Sequence, residues 1–253
     1  MYEIFTIIAL FIVGIIAGVI NVMAGGGSSL TLPALIFLGL DPTVANGTNR
    51  IAILSQNVFA TLSFKKSKML ELGTSIKYAM FTIPGVILGA FTAVKISDEL
   101  FQKILGIILI LVIFTFFINP VSFKKYSEKK NIEWIIYPAL ILVGFYGGFI
   151  QVGVGFLIMA VLYHLLNLNL LKVNVHKVLI VLIYTFPVIL IFFISGNINW
   201  FLGICLAAGN SVGGWLGAGL SVKGGEKYIR YALVVAVLIM AIKLLGGFNF
   251  IRI

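Results

Sequence analysis

Apolar stretches alternate with short polar ones along the whole chain, at about 4–24, 28–40, 44–64, 75–94, 100–118, 133–151, 155–168, 174–195, 200–221 and 229–247. Most match the roughly 20 residues that a helix needs to cross a hydrocarbon core of about 30 Å. The stretches at 28–40 and 155–168 are too short for that. Each follows a glycine-rich segment, so they are predicted to be half-helices or re-entrant pieces.

The order of parts occurs twice. Val13-Gly-Ile-Ile-Ala-Gly-Val-Ile-Asn21 resembles Val143-Gly-Phe-Tyr-Gly-Gly-Phe-Ile-Gln151, which pairs Gly14 with Gly144, Gly18 with Gly148, Asn21 with Gln151 and Gly25 with Gly155. Further on, Gly85-Val-Ile-Leu-Gly-Ala90 resembles Gly213-Gly-Trp-Leu-Gly-Ala218. Loop charge indicates how the halves are related. The loop at 65–73 holds three lysines and its counterpart at 195–200 none, whereas 40–44 holds only Asp41 and its counterpart at 169–177 holds Lys172, His176 and Lys177. The bend at 95–99 has one lysine against two acids, while 222–230 has three basic residues. Basic bias therefore changes side at equivalent positions, as an inverted repeat requires. With the lysine-rich loops 65–73, 119–132, 169–177 and 222–230 inside, both termini lie outside, and Lys95, Lys103 and Arg252 are minority exceptions.

The expected fold is an all-α polytopic membrane protein, an inverted repeat of two halves. Each half is a helical hairpin with a glycine break followed by three transmembrane helices. The first repeat is 1–118 with its hairpin at 4–40, 119–132 is a cytoplasmic linker, and the second repeat is 133–253 with its hairpin at 133–168.

Composition reinforces the membrane assignment. Apolar residues make up 61% and charged residues 10%, with a mean hydropathy of +1.15, too little wettable surface for a soluble domain of this size. The net charge of +10 sits in short loops rather than on one coherent surface, which excludes nucleic-acid binding and points to the lipid bilayer as the partner. Cys205 alone provides no disulfide framework or cysteine metal site, and no cofactor is expected. Met1-Tyr2-Glu3 leads straight into apolar sequence without a basic n-region, so the first helix is expected to be retained. The chain lacks HExxH, paired intramembrane aspartates and a GxSxG with a credible base, so it is not read as an enzyme.

Candidate chemistry clusters at the breaks. In Asn21-Val-Met-Ala-Gly-Gly-Gly-Ser-Ser29, three glycines interrupt the helix, and backbone freed in a membrane is tolerated only where it lines a cavity or is covered by protein. The half-helix that follows starts with Ser28 and Ser29 as candidate caps, and its N-terminus attracts an anion. Close helix packing is the competing reading; it is preferred for Gly14, Gly18, Gly85 and Gly89, and a site for Gly25, Gly26 and Gly27. The counterpart Gln151-Val-Gly-Val-Gly155, with Gly153 and Gly155, lacks the serines, which predicts an asymmetric site. Arg50, next to Thr48 and Asn49, and His176-Lys177 place cations inside apolar segments. Snorkelling to the interface and a functional role both stand for them; Ser55, Gln56 and Asn57 on the same helix and the fork of the guanidinium favour a role for Arg50. All eight acids fall at segment ends or in loops, so the interior favours an anion over a cation or a carboxylate-borne proton.

Ala24-Gly-Gly-Gly27, then Pro33 and Leu40, then Ala45-Asn-Gly-Thr48, and in the second half Ser195-Gly-Asn-Ile-Asn-Trp200, resemble the sulfite exporter TauE/SafE family over essentially the whole chain. The resemblance implies a permease of the prokaryotic plasma membrane for sulfite, sulfonates or related organosulfur or carboxylate anions. Val173-Asn-Val-His-Lys177 departs from that family's small Gly-Thr element, which marks the second half as the place for substrate variation. The resulting expectation is alternating-access transport of a small anionic substrate. An anion channel or a small-carboxylate transporter is the alternative, and a homodimer is compatible with either.

Overall fold

The computed structural model describes residues 4–118, 133–166 and 168–244, with side chains up to 108, over 134–166 and over 168–224; the expected linker at 119–132 and both chain ends lie outside the described residues. Those residues form nine α-helices and one 3-10 turn, Glu133–Ile135, with no strand among them. The helices are α1 (Ile4–Ala24), α2 (Ser28–Phe37), α3 (Pro42–Lys66), α4 (Leu72–Lys95), α5 (Asp98–Ile118), α6 (Ile136–Phe149), α7 (Val154–Leu166), α8 (Leu170–Ile194) and α9 (Trp200–Leu244). Among the described residues, α1, α4, α8 and the first 25 residues of α9, Trp200–Gly224, are long and apolar enough to cross a membrane. Their outer faces carry Ile8, Ile12 and Ile16 on α1, Leu88 on α4 and Phe186 and Leu190 on α8, all exposed, as lipid-facing positions require.

One expected boundary is absent. The stretches at 200–221 and 229–247, with a loop at 222–230 between them, are instead one continuous helix of 45 residues. At 1.5 Å per residue it is about 68 Å long, more than twice a hydrocarbon core. Nothing in Ser221–Arg230 forbids this: the segment has no proline, and each glycine costs a helix only about 1 kcal/mol.

Small residues determine how the helices pack. α1 lies against α9 with Gly14 and Gly18 facing Gly209 and Gly213, and α6 lies against α4 with Gly144 and Gly148 facing the backbone at Thr82 and Val86. A Cβ on Gly14 or Gly18 would come within 2.8 Å of a carbonyl oxygen of α9, so these backbones touch only because the side chains are absent. The favoured packing role of Gly14, Gly18, Gly85 and Gly89 is the one these contacts display.

Contacts at the helix ends fix the directions. Asn199 N donates to Thr48 Oγ1 at 2.9 Å and Thr43 N donates to Asp98 Oδ1 at 3.0 Å, so α3, α5 and α9 begin at one end of the molecule, where α4 and α8 finish. At the other end Lys172 Nζ meets Glu71 Oε1 at 2.8 Å, joining the start of α8 to the start of α4. α3 and α8 therefore run in opposite directions, as do α4 and α9. The paired glycines make α1 parallel to α9 and α6 parallel to α4, so α1 and α6 oppose each other too.

Candidate functional site

α1 stops at Ala24 because Gly25 turns into the left-handed region, φ +93°, where a side chain is strained. α6 stops at Phe149, and the next segment passes through Gln151 at φ +69° and Gly153 at φ +72° before α7 starts at Val154. For a residue with a side chain, as at Gln151, that conformation costs roughly 1–2 kcal/mol. The Tyr146 hydroxyl donates to the Val152 carbonyl and helps to hold the turn. The two interruptions lie back to back: a Cβ on Gly25 would be 2.5 Å from Gly155 Cα and 2.7 Å from Phe156 N. Gly25 and Gly155, paired in the sequence by register, thus touch each other.

Beside this contact is a small cavity of about 10 Å³, room for about one water molecule. Its walls are Asn21, Ser28, Gln56, Asn57, Gln151, Val154, Gly155, Lys177 and Val181. Ser28 is the first residue of α2 and Val154 the first of α7, so both half-helices open onto the cavity with their N-terminal, partly positive ends. Asn21 Nδ2 donates to Gln56 Oε1 at 3.2 Å, and the buried Gln151 Oε1 has no hydrogen-bond partner. The wall has one cationic side chain, four amides, one hydroxyl and no carboxylate.

The two embedded cations are used differently. Lys177 lines the cavity, and its Nζ donates to the carbonyls of Asn21 at 3.0 Å and Val22 at 2.5 Å, in the last turn of α1. Arg50 is not among the lining residues. Fully buried, it donates from Nη1 to Gly147 O at 2.6 Å and from Nη2 to Gly148 O at 2.9 Å and Asn46 Oδ1 at 3.2 Å, with Phe192 at 5.7 Å from the guanidinium carbon. Asn46 Nδ2 takes Phe149 O at 2.8 Å. The last three carbonyls of α6, which have no partner inside their own helix, are therefore all met by α3. Lys177 thus caps α1 and Arg50 caps α6, each with favourable dipole sign. Snorkelling is excluded for both, since Arg50 is 0% and Lys177 3% exposed.

The other expected site residues are more dispersed. Ser29 Oγ donates back to Gly26 O at 2.8 Å, and α2 has Gly27 at its N-cap with no side-chain cap bond, so the serines do not cap the helix as expected; at φ −59° Gly27 already continues the helical turn. A Cβ on Gly27 would meet Asn21 Cβ at 2.5 Å, which keeps α2 close to α1. Thr48 anchors Asn199 ahead of α9, Asn49 is buried with both amide atoms unpartnered, and Gly153 supplies a turn. His176 is buried away from the cavity wall, its Nδ1 2.7 Å from Ser75 Oγ. Gln56 and Asn57 do line the wall, although in the sequence they read only as company for Arg50; the available signal was two adjacent amides deep in a membrane helix.

Arg50→Lys keeps the charge but not the fork. It is expected to lower stability by about 2 kcal/mol, a fall of roughly 4–8 °C in Tm for a chain of this size. A thermal melt in detergent checks this, and an unchanged midpoint would mean that the forked contact does not hold the end of α6.

The model of the family described as "Sulfite exporter TauE/SafE" matches residues 10–244. The chain belongs to the TauE/SafE family. It is similar to the "Probable membrane transporter protein" of Haemophilus influenzae, 29% identical over 246 residues, covering 95% of this chain and 96% of that protein. It is also similar to the "Probable membrane transporter protein YfcA" of Escherichia coli K12, 29% identical with 93% and 88% covered, and to YunE of Bacillus subtilis, 24% identical with 94% and 97% covered. No solved structure matches. A TauE/SafE chain is a membrane transporter or permease rather than an enzyme, and its long apolar helices are the spans that this role requires.

Proposed function

We propose that this TauE/SafE transporter carries a small oxoanion, such as sulfite, a sulfonate or a related organosulfur anion, by alternating access through the cavity at Lys177. The observation that carries the reading is the cavity wall: an ammonium, four amides and two helix N-termini converge there without a carboxylate. Such a donor set suits an anion and repels nothing negative. Small carboxylates are the competing cargo, because they present the same charge.

The two halves, 1–118 and 133–253, are read as an inverted repeat. The opposed directions of α1 and α6, α3 and α8, and α4 and α9 support this, as do the two cations that each cap the other half's first helix. The ion pair between Glu71 and Lys172 brings two lysine-rich loops to one end, which under the positive-inside rule is cytoplasmic and leaves the start of α1 outside. The proposed location is the prokaryotic plasma membrane. A cavity of about 10 Å³ is too small for an oxoanion, so loading requires the halves to part, and rocking of one against the other exposes the site to either side in turn.

The test is a binding screen of sulfite, thiosulfate, methanesulfonate and acetate by thermal shift, followed by uptake of labelled ligand into liposomes. Stabilisation by a sulfur oxoanion with saturable uptake is the expected result. Stabilisation by acetate alone would move the cargo to carboxylates, and no response to any anion would sink the reading.

A further inference from the structure

At the lysine-rich end, one turn of α8 carries a polar group that the cavity does not use. His176 is 1% exposed, with Nδ1 2.7 Å from Ser75 Oγ and Nε2 3.7 Å from Glu71 Oε2. Glu71 and Ser75 belong to α4 and its N-cap, in the first half, whereas His176 belongs to α8, in the second. Lys177, the cationic wall of the cavity, is the next residue.

We propose that Glu71, Ser75 and His176 form a proton-binding site through which pH controls anion passage. The inference rests on the transporter reading of the Lys177 cavity.

Three features support it. A buried imidazole is placed against a carboxylate that is 44% exposed, so a proton from water has a route to it. The charged groups facing His176 are Glu71 from α4 and Lys172 from its own helix, with the Tyr78 ring edge-on at 6.3 Å. Of the other basic side chains on α8 and the elements packed on it, Arg50 is on α6 carbonyls, Lys177 on α1 carbonyls, Lys66 over Trp215, Lys77 over Tyr137 and His164 edge-on to Tyr163, while Lys65, Lys95 and Lys223 are exposed. Finally, the contact joins the start of α4 to α8 at the end where Lys172 meets Glu71, and in the proposed rocking this contact parts when the cavity opens to that side.

The sign follows from the partners. The Lys172 hydrogen bond, with the nearby charges, holds the Glu71 carboxyl below its ordinary range, so it stays ionised under mild acid. A proton taken up by His176 then makes an imidazolium beside a carboxylate, which strengthens the contact between α4 and α8 and keeps this mouth shut. Loss of the proton leaves a neutral ring bonded to Ser75, and the mouth is freer to open. By linkage, a proton that favours the closed state slows opening as pH falls.

The experiment is uptake of labelled thiosulfate or methanesulfonate, both fully ionised over the range, into liposomes between about pH 5.5 and about pH 7.5, the window in which imidazoles titrate. Wild type is expected to slow about fivefold or more at the acid end. Glu71→Gln is expected to flatten the profile while keeping thermal stabilisation by the anion, and His176→Gln to flatten it as well. Lys172→Met, which removes the neighbouring ion pair but leaves His176 and Glu71, keeps the acid slowing. Uptake whose pH profile is the same in wild type and Glu71→Gln overturns the proton site while leaving the transporter standing. A wild type that neither binds nor carries any anion overturns both.

Discussion

Lys177→Met is expected to abolish anion-induced stabilisation and saturable uptake while leaving the anion-free protein at least as stable as wild type. The ammonium is the one cationic side chain of the cavity wall, and the donors around it are neutral amides. Removing a buried charge that faces a ligand charge typically costs about 2–5 kcal/mol of binding, so the affinity should fall roughly 30-fold or more. Stability moves differently, because the substitution removes two hydrogen bonds to the carbonyls of Asn21 and Val22 together with the desolvation cost of a buried cation. These changes largely offset each other for a side chain of similar length. Lys177→Arg separates charge from shape: it keeps the cation, and partial anion binding should survive. A Lys177→Met protein that still takes up the anion with ordinary affinity would place the site elsewhere, whatever its stability.

On the proposed reading, the same residue would couple cargo to conformation. In the closed state Lys177 is held by the negative end of α1. An arriving anion would compete for that ammonium, and α1 would lose its cap as the ligand is gained. Arg50 has no such freedom, since its two carbonyl partners and Asn46 enclose it outside the cavity. Lys177 borders the cavity, whereas Arg50 holds the end of α6.

The sequence revealed the helices readily and the cations poorly. Long apolar runs mark spans because only a helix satisfies its own backbone in lipid, so α1, α4 and α8 follow from length and composition. Gly25 and Gly155 are paired in the sequence by register alone, and the structure places them in direct contact. Arg50 reads as a substrate ligand because an intramembrane guanidinium attracts attention and its partners are main-chain carbonyls nearly a hundred residues away, which no side-chain pattern encodes. The loop expected at 222–230 is a continuous helix instead, because polar residues break hydropathy without breaking a helix. Gln56 and Asn57 were visible as polar residues, but which face of α3 meets the cavity depends on packing against α1 and α8.

Gly25→Ala should be among the most damaging single methyls at the described glycines. Two costs arise at the same atom. A φ of +93° strains any residue with a Cβ by roughly 1–2 kcal/mol. The added carbon also falls 2.5 Å from Gly155 Cα and 2.7 Å from Phe156 N, and because these are backbone atoms in the start of α7, no rotamer change relieves the clash. Overpacking of that kind adds about 1–3 kcal/mol, for a total of about 2–5 kcal/mol against a typical reserve of 5–15. Gly39→Ala isolates the first cost: its φ is +88°, but nothing lies within 4 Å of the added carbon. Gly155→Ala adds its methyl from the other side of the same contact, against Gly25, and should approach the damage of Gly25→Ala. Melting temperature and folded yield in detergent rank the three, with Gly39→Ala milder than Gly25→Ala by at least about 1 kcal/mol, the lower bound of the overpacking cost. If Gly25→Ala melts with Gly39→Ala, the two interruptions do not meet as described. The cavity beside them, and the anion site built on it, would then have to be placed differently.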